Sequence, residues 1–172
     1  MSVPSLSLVW LDRRAREVIE REAARRLLRE TGGALFGYEA NEGVAVVCAF
    51  GPGPHARHDF RSFEPHPETT RRLIASVRDA SDGRYRFLGS WHTHPGGRPA
   101  PSLADEQTAA ELSDQPGLLL PHPLLLIQAT RIERRKARLR GLRAWRYSER
   151  RQLVATDVVP VEIKDRHCPD ER

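Results

Sequence analysis

A chain of 172 residues, 39% hydrophobic and 30% charged, is one domain by size and long enough to bury a substantial core. Two cysteines, Cys48 and Cys168, supply neither a disulfide framework nor a cysteine-based zinc site, which fits a reducing compartment. No apolar run approaches membrane-spanning length and no basic segment precedes the apolar residues near Met1, so no membrane partner and no signal peptide are read; the cytoplasm is the expected location.

The formal charge is +5, and the only lysines are Lys136 and Lys164. In the first helical stretch the arginines interleave with glutamates (Arg13, Arg14, Arg16, Glu17, Glu20, Arg21, Glu22), the pattern of a solvated face with i,i+4 pairs. Nucleic acid is therefore not the expected primary partner. The denser patch from Arg131 to Arg151 suits an acidic partner equally well.

Residues 5–10 alternate like a short strand. Asp12 can cap a helix whose apolar face is Ala15, Val18, Ile19, Ala23 and Leu27. Strands are predicted at about 34–39 and 43–50, joined by the turn Asn41-Glu42-Gly43. Cys48 reads as a small core residue of the second of these. Residues 51–58 read as a loop in which His55 and His58 are solvent-exposed or, alternatively, line a substrate groove, and a strand resumes near 61–63. Pro67 opens a helix with Leu73, Ile74 and Val77 inward, and His66 and His122, each before a proline, read as structural.

Arg86 to Thr93 reads as a strand ended by Pro95. Side chains alternate along a strand, so His92 and His94 point one way and Thr93 the other. Two ring nitrogens so placed can reach one metal at about 2.0–2.1 Å. The Gly/Pro loop 95–101 is short enough to fold the next helix back over the pair. That helix opens at Ser102 and runs through Leu103, Ala104, Ala109, Ala110 and Leu112. Asp105 can be a third ligand, leaving a fourth position for water. The same Ser102-x-x-Asp105 spacing is also a capping box, which by itself needs no metal. A hydrolytic centre further needs a general base. On residue type alone Glu20, Glu22, Glu30, Glu39 and Glu42 all qualify; Glu30 precedes Thr31-Gly32-Gly33 and an apolar run, where glycines permit close backbone approach.

Farther on, Leu124-Leu125-Leu126-Ile127 suits a buried strand, Leu142 to Tyr147 a half-exposed one, and Leu153 to Ile163 another. Residues 164–172 read as a polar, frayed tail, leaving 1–163 as the domain. Neither His-Glu-x-x-His nor the zinc-deaminase signature occurs.

Taken together, Glu30, then His92-Thr93-His94-Pro95, then Ser102-Leu103-Ala104-Asp105 resembles the JAMM (MPN+/JAB) metalloprotease family. Glu30-Thr31-Gly32-Gly33-Ala34-Leu35-Phe36-Gly37 is similar to a segment of its prokaryotic members. Gly51 to His58 with Phe63-Glu64-Pro65 resembles a bacterial subgroup found beside ubiquitin-like conjugation machinery in anti-phage operons. The likeness covers roughly residues 5–130. It implies a three-layer α/β/α domain with a mixed sheet, related to the cytidine-deaminase fold. It implies zinc (Zn2+) held by His92, His94 and Asp105, with Glu30 as general base and Ser102 as oxyanion donor. The implied activity is a deubiquitinase-like isopeptidase acting on a ubiquitin-like protein or its conjugates, alongside activating and conjugating enzymes of the same operon. Trp91 or Gly96-Gly97 would wall its substrate channel. A peptidase of sulfur-carrier metabolism and a non-catalytic MPN binding module are the alternatives.

Overall fold

The computed structural model describes residues 8–26, 28–134 and 136–169. The first part of the strand read at 5–10, Leu27 of the first helix face, and 170–172 of the tail lie outside the described residues.

Twelve elements follow one another: β1 (Leu8–Asp12), α1 (Arg13–Arg25), β2 (Gly32–Ala40), β3 (Gly43–Ala49), β4 (Arg57–His58), β5 (Phe63–Glu64), α2 (Pro67–Ala80), β6 (Arg86–Pro95), α3 (Leu103–Asp114), β7 (Leu124–Glu133), β8 (Lys136–Tyr147) and β9 (Leu153–Val161). Asp12 caps α1 by accepting from the Arg14 N–H, and Ala15, Val18, Ile19 and Ala23 form its buried stripe. Pro67 opens α2, with its fixed φ suited to a first helical turn.

Seven strands run in the order β1-β3-β2-β6-β7-β8-β9 and close into a barrel, with β4 and β5 as a separate hairpin. The sheet is mixed: β1–β3, β1–β9 and β6–β7 are parallel and the other pairs antiparallel. Alternation then decides what each face covers. Leu35, Val44, Val46, Leu124 and Leu126 pack with Ala15, Val18 and Ile19 of α1. On the opposite face Ala34, Phe36 and Val47 meet Val77 of α2, and Leu125 and Ile127 meet Ala109 of α3.

The sheet is mixed, as expected, but it closes on itself, so the molecule departs from the three-layer α/β/α arrangement that was expected. Closure comes from β9, whose residues 153–156 pair with β8 and 157–161 with β1. Register shifts in β2–β3, β2–β6 and β7–β8 supply bulges that bend the strands.

Two expectations fail here. The tail is packed up to residue 169: Ile163 N–H and Arg166 engage the Asp12 carboxylate, and Arg166 Nε donates to the Val47 carbonyl at 2.9 Å. Cys168 is disulfide-bonded to Cys48 across 120 residues, a pairing that residue spacing cannot reveal. Arg146 shares the buried face of its half-exposed strand with Ala144, and its Nη2 donates to Glu39 at 2.6 Å. Burial alone would raise the Glu39 pKa; Arg146, then Arg86, outweigh it and hold the carboxyl below its ordinary range.

Glu39→Gln leaves a buried guanidinium without a counter-charge. Because Glu39 is a third exposed, we expect a loss of about 2 kcal/mol, less than for a fully buried pair, and a Tm lowered by roughly 4–8 °C. Arg86→Gln, changing the half-exposed partner, should cost under about 1 kcal/mol. Equal melting of the Glu39 variant and the parent would refute the pairing.

Candidate metal centre

β6 lies between β2 and β7, which fixes which way its histidines face. Gly32 pairs with His92, and His92 and His94 pair with Ile127 and Ala129 of β7. Thr93, on the other face, locks the strand to the segment before β2: the Thr31 N–H donates to Thr93 Oγ1 at 3.0 Å, and the Thr93 N–H to the Thr31 carbonyl at 2.8 Å. Gly32 and Gly33 make this approach possible. A Cβ on Gly33 would overlap the Phe50 carbonyl oxygen, and one on Gly32 the Trp91 carbonyl oxygen and the Phe63 ring.

The loop after β6 returns the chain to the histidines. Trp145 Nε1 of β8 donates to the Pro99 carbonyl at 3.0 Å and pins it. His94 Nδ1 donates to the Arg98 carbonyl at 2.9 Å, which leaves the Nε2 lone pair turned inward. At the start of α3, Ser102 and Asp105 form the capping box that their spacing allows. The box and the metal-ligand geometry coexist. Asp105 Oδ2 accepts from the Ser102 N–H (2.6 Å) and hydroxyl (2.8 Å), while Oδ1 faces His92 Nε2 at 3.2 Å.

The three donors converge. His92 Nε2 and His94 Nε2 are 2.9 Å apart, and His94 Nε2 is 3.7 Å from Asp105 Oδ2. Taking one donor atom from each residue, all three lie within 4.8 Å of one another, close enough for a single ion to be shared by His92, His94 and Asp105. Among the described residues this is the one His/Cys/Asp/Glu group so arranged.

Glu30 stands beside it, with Oε1 4.0 Å from His94 Nε2. The other glutamates do not. Glu20 pairs with Arg16 and Glu22 with Arg25 on α1, Glu39 pairs with Arg146 and Arg86, and Glu42 lies in the exposed β2–β3 turn. Both main-chain polar groups of Glu30 are held by the β4–β5 hairpin: its N–H donates to the Asp59 carbonyl at 2.7 Å, and its carbonyl accepts from His58 Nδ1 at 3.0 Å. Residue type alone left His58 as an exposed loop histidine. The missing signal was the two-residue strand Arg57–His58, too short to show a pattern.

Electrostatics divide the acids. Burial pushes the Glu30 pKa up, the two histidines opposing it. Burial would also raise Asp105, but hydrogen bonds with His92 and His94 outweigh it and hold the carboxyl well below the usual carboxylate range. Burial would lower His94, yet Asp105 and the Arg98 carbonyl raise it. One carboxylate is thus fixed as an anion and the other is biased toward taking up a proton.

Trp91 does not wall a channel: it is fully buried and donates to the Phe50 carbonyl at 2.8 Å. Leu103, the first residue of α3, is 72% exposed.

Two imidazoles and a carboxylate converging on one point, with a buried glutamate alongside, make the donor set of a metal-dependent hydrolase. Comparison with known proteins agrees. A family model for prokaryotic homologs of the JAB domain (Prok-JAB) matches residues 12–148, and the chain belongs to that family. It is 28% identical over 122 residues to "Probable metalloprotease y4qB" of Sinorhizobium fredii, covering 70% of this chain and 74% of that one. The solution structure of protein DSY2949 from Desulfitobacterium hafniense superposes with a TM-score of 0.64 over 91% of this chain and 95% of that one; at 16% identity it bears on the fold alone.

A raised His94 pKa has a measurable consequence. The imidazolium must lose its proton before Nε2 can ligate, so metal affinity should fall as pH drops through neutrality, about tenfold per pH unit for each proton displaced. Competition with a chromophoric chelator between about pH 6 and 8 measures this. Affinity independent of pH would remove His94 from the donor set.

Proposed function

We propose that the protein is a zinc-dependent isopeptidase or peptidase that cleaves after the C-terminus of a ubiquitin-like protein, within a bacterial conjugation system of the anti-phage kind. The observation that carries the catalytic part is the convergence of His92, His94 and Asp105, with Glu30 4.0 Å from His94 Nε2. Zinc is the preferred ion because two imidazoles and one carboxylate suit a borderline-soft cation better than magnesium or calcium. The substrate class is drawn from the motif's likeness to the JAMM family.

When bound, zinc supplies a Lewis acid for the scissile carbonyl and lowers the pKa of water toward about 7. The protein's own groups do the rest. Glu30, biased toward protonation by burial and anchored at both main-chain groups by the hairpin, takes the proton of the attacking water and returns it to the leaving amine. Ser102 turns its hydroxyl from Asp105 to the oxyanion; Asp105 Oδ2 keeps the Ser102 N–H, so the ligand stays oriented. The exposed Gly96 and Gly97 beside His94 lack side chains, which lets an extended glycine-ended tail lie close to the centre.

Glu30→Gln should retain metal and lose about 10²–10⁴ in turnover, whereas His92→Ala should lose metal. Metal content by mass spectrometry, together with initial rates, separates the two roles; full activity in the Glu30 variant would remove it as the base. The substrate assignment is tested with fusions to the ubiquitin-like protein of neighbouring genes. EDTA-sensitive cleavage at the modifier's C-terminus supports it. Release of a single amino acid from a sulfur-carrier protein instead would favour that alternative. Stable metal binding without cleavage of any fusion would leave a binding module.

A further inference from the structure

β7 and β8 form an arm that leaves the barrel beside the metal centre. They remain paired out to Glu133 and Lys136, whereas β6 leaves β7 after the Pro95–Thr130 pair and β9 meets β8 only from Ala144 to Tyr147. The β8 edge from Lys136 to Arg143 has no neighbouring strand among the described residues, so its outward main-chain N–H and C=O groups lack a ladder partner; within this stretch the Gly141 carbonyl accepts from Gln128 Nε2 at 3.0 Å.

The arm's face toward the metal centre is cationic. Paired residues share a face, so Arg143 lies with Ile127 and His92, and Arg138 with Arg131. Along β7, Ile127, Ala129 and Arg131 alternate onto that same face. Arg131, Arg138 and Arg143 therefore stand on the side of the sheet that carries the histidines. Arg140 sits at the register shift opposite Ala129 and Thr130, and Lys136 pairs with Glu133 near the tip. Lys136, Arg138, Arg140 and Arg143 are exposed and have no ion-pair or hydrogen-bond partner among the described residues; Arg131 pairs with Glu133.

We infer that the open β8 edge, Lys136 to Arg143, is the docking strand for an extended acidic segment of a protein partner, resting for its purpose on the peptidase reading, which makes that partner the substrate. Like charge bars a second copy of this chain from the edge, because it would set arginine against arginine. A segment carrying Asp or Glu at alternate positions meets both features at once. Its main chain continues the sheet and its carboxylates reach the guanidinium groups, bidentate where geometry allows. A nucleic acid could use the charge but not the row of main-chain donors and acceptors, which is why a polypeptide is favoured.

The test uses the full-length protein and a fluorescent peptide alternating Glu with Val, with a Lys/Val peptide and single-stranded oligothymidine as comparators. Fluorescence anisotropy should show saturable binding of the acidic peptide alone, weakening as salt is raised. The triple variant Arg138→Glu, Arg140→Glu, Arg143→Glu should bind at least tenfold more weakly, and a neutralised Arg138→Gln, Arg143→Gln variant should fall between. Melting temperature and metal content should be unchanged in both. Bound peptide should slow amide exchange along residues 138–142. No saturation at millimolar peptide, equal binding by the charge-reversed protein, or tighter binding of oligothymidine would overturn the inference. None of these readouts needs turnover, so failed cleavage of the fusions would count against the peptidase reading alone.

Discussion

The candidate centre depends on the register of β6. A strand has a side-chain period of two, so a slip of one residue against β2 or β7 would turn both histidines to the opposite face and bring Thr93 to the site. The fold fixes the register from several directions. Gly32 and Gly33 admit β2 closely enough that Thr31 and Thr93 exchange bonds at 2.8 and 3.0 Å. On the other side the parallel pairing with β7 runs from Gly89 to Pro95 without a shift. Below the histidines, the buried indole of Trp91 is tied to the Phe50 carbonyl. Apolar packing sets the strand's depth; these few polar contacts set its phase.

Asp105 and Glu30 reach the histidines differently, and the difference suits different tasks. Asp105 arrives on the first turn of a helix whose start is stabilised by that same carboxylate, so capping and ligand orientation reinforce one another. An anion fixed in this way suits a ligand. Glu30 arrives on irregular chain between α1 and β2, with its main chain held by the hairpin and its side chain 12% exposed. A group whose proton affinity is raised by burial suits proton transfer. Because the hairpin contributes both main-chain contacts, anything that shifts it also shifts Glu30.

Much of this could be read from the residues. The helices, most strands, and the His92, His94 and Asp105 convergence follow from period, punctuation and spacing, each of which acts within a few turns of chain. Glu30 could not be separated from four other glutamates by such local rules; only likeness to a family singled it out, and its place at 4.0 Å from His94 depends on pairing across some sixty positions of sequence. The tertiary partners of His58, Arg146 and Cys168 are hidden for the same reason. Each has a local sequence typical of an exposed residue and a tertiary partner far away: Glu30, Glu39 and Cys48 respectively. Closure of the sheet is equally non-local, since it depends on β9 being long enough to serve two neighbours.

The packed tail bears on that closure. β9 and β1 meet along a parallel seam, and the chain leaving β9 crosses back to it: Ile163 and Arg166 both reach Asp12, the last residue of β1 and the cap of α1. Arg166 and Cys168 then reach Val47 and Cys48 on β3, and Tyr85 donates to the Asp165 carbonyl. One buried carboxylate thus ends a strand, starts a helix and anchors the strap that covers the seam. The disulfide adds the entropic restraint of a long closed loop under oxidising conditions. In a reducing compartment the polar contacts at Asp12, Val47 and Asp165 would still hold the strap, because they do not involve sulfur. The cysteine pair therefore reinforces a closure that Asp12 already anchors through Ile163 and Arg166.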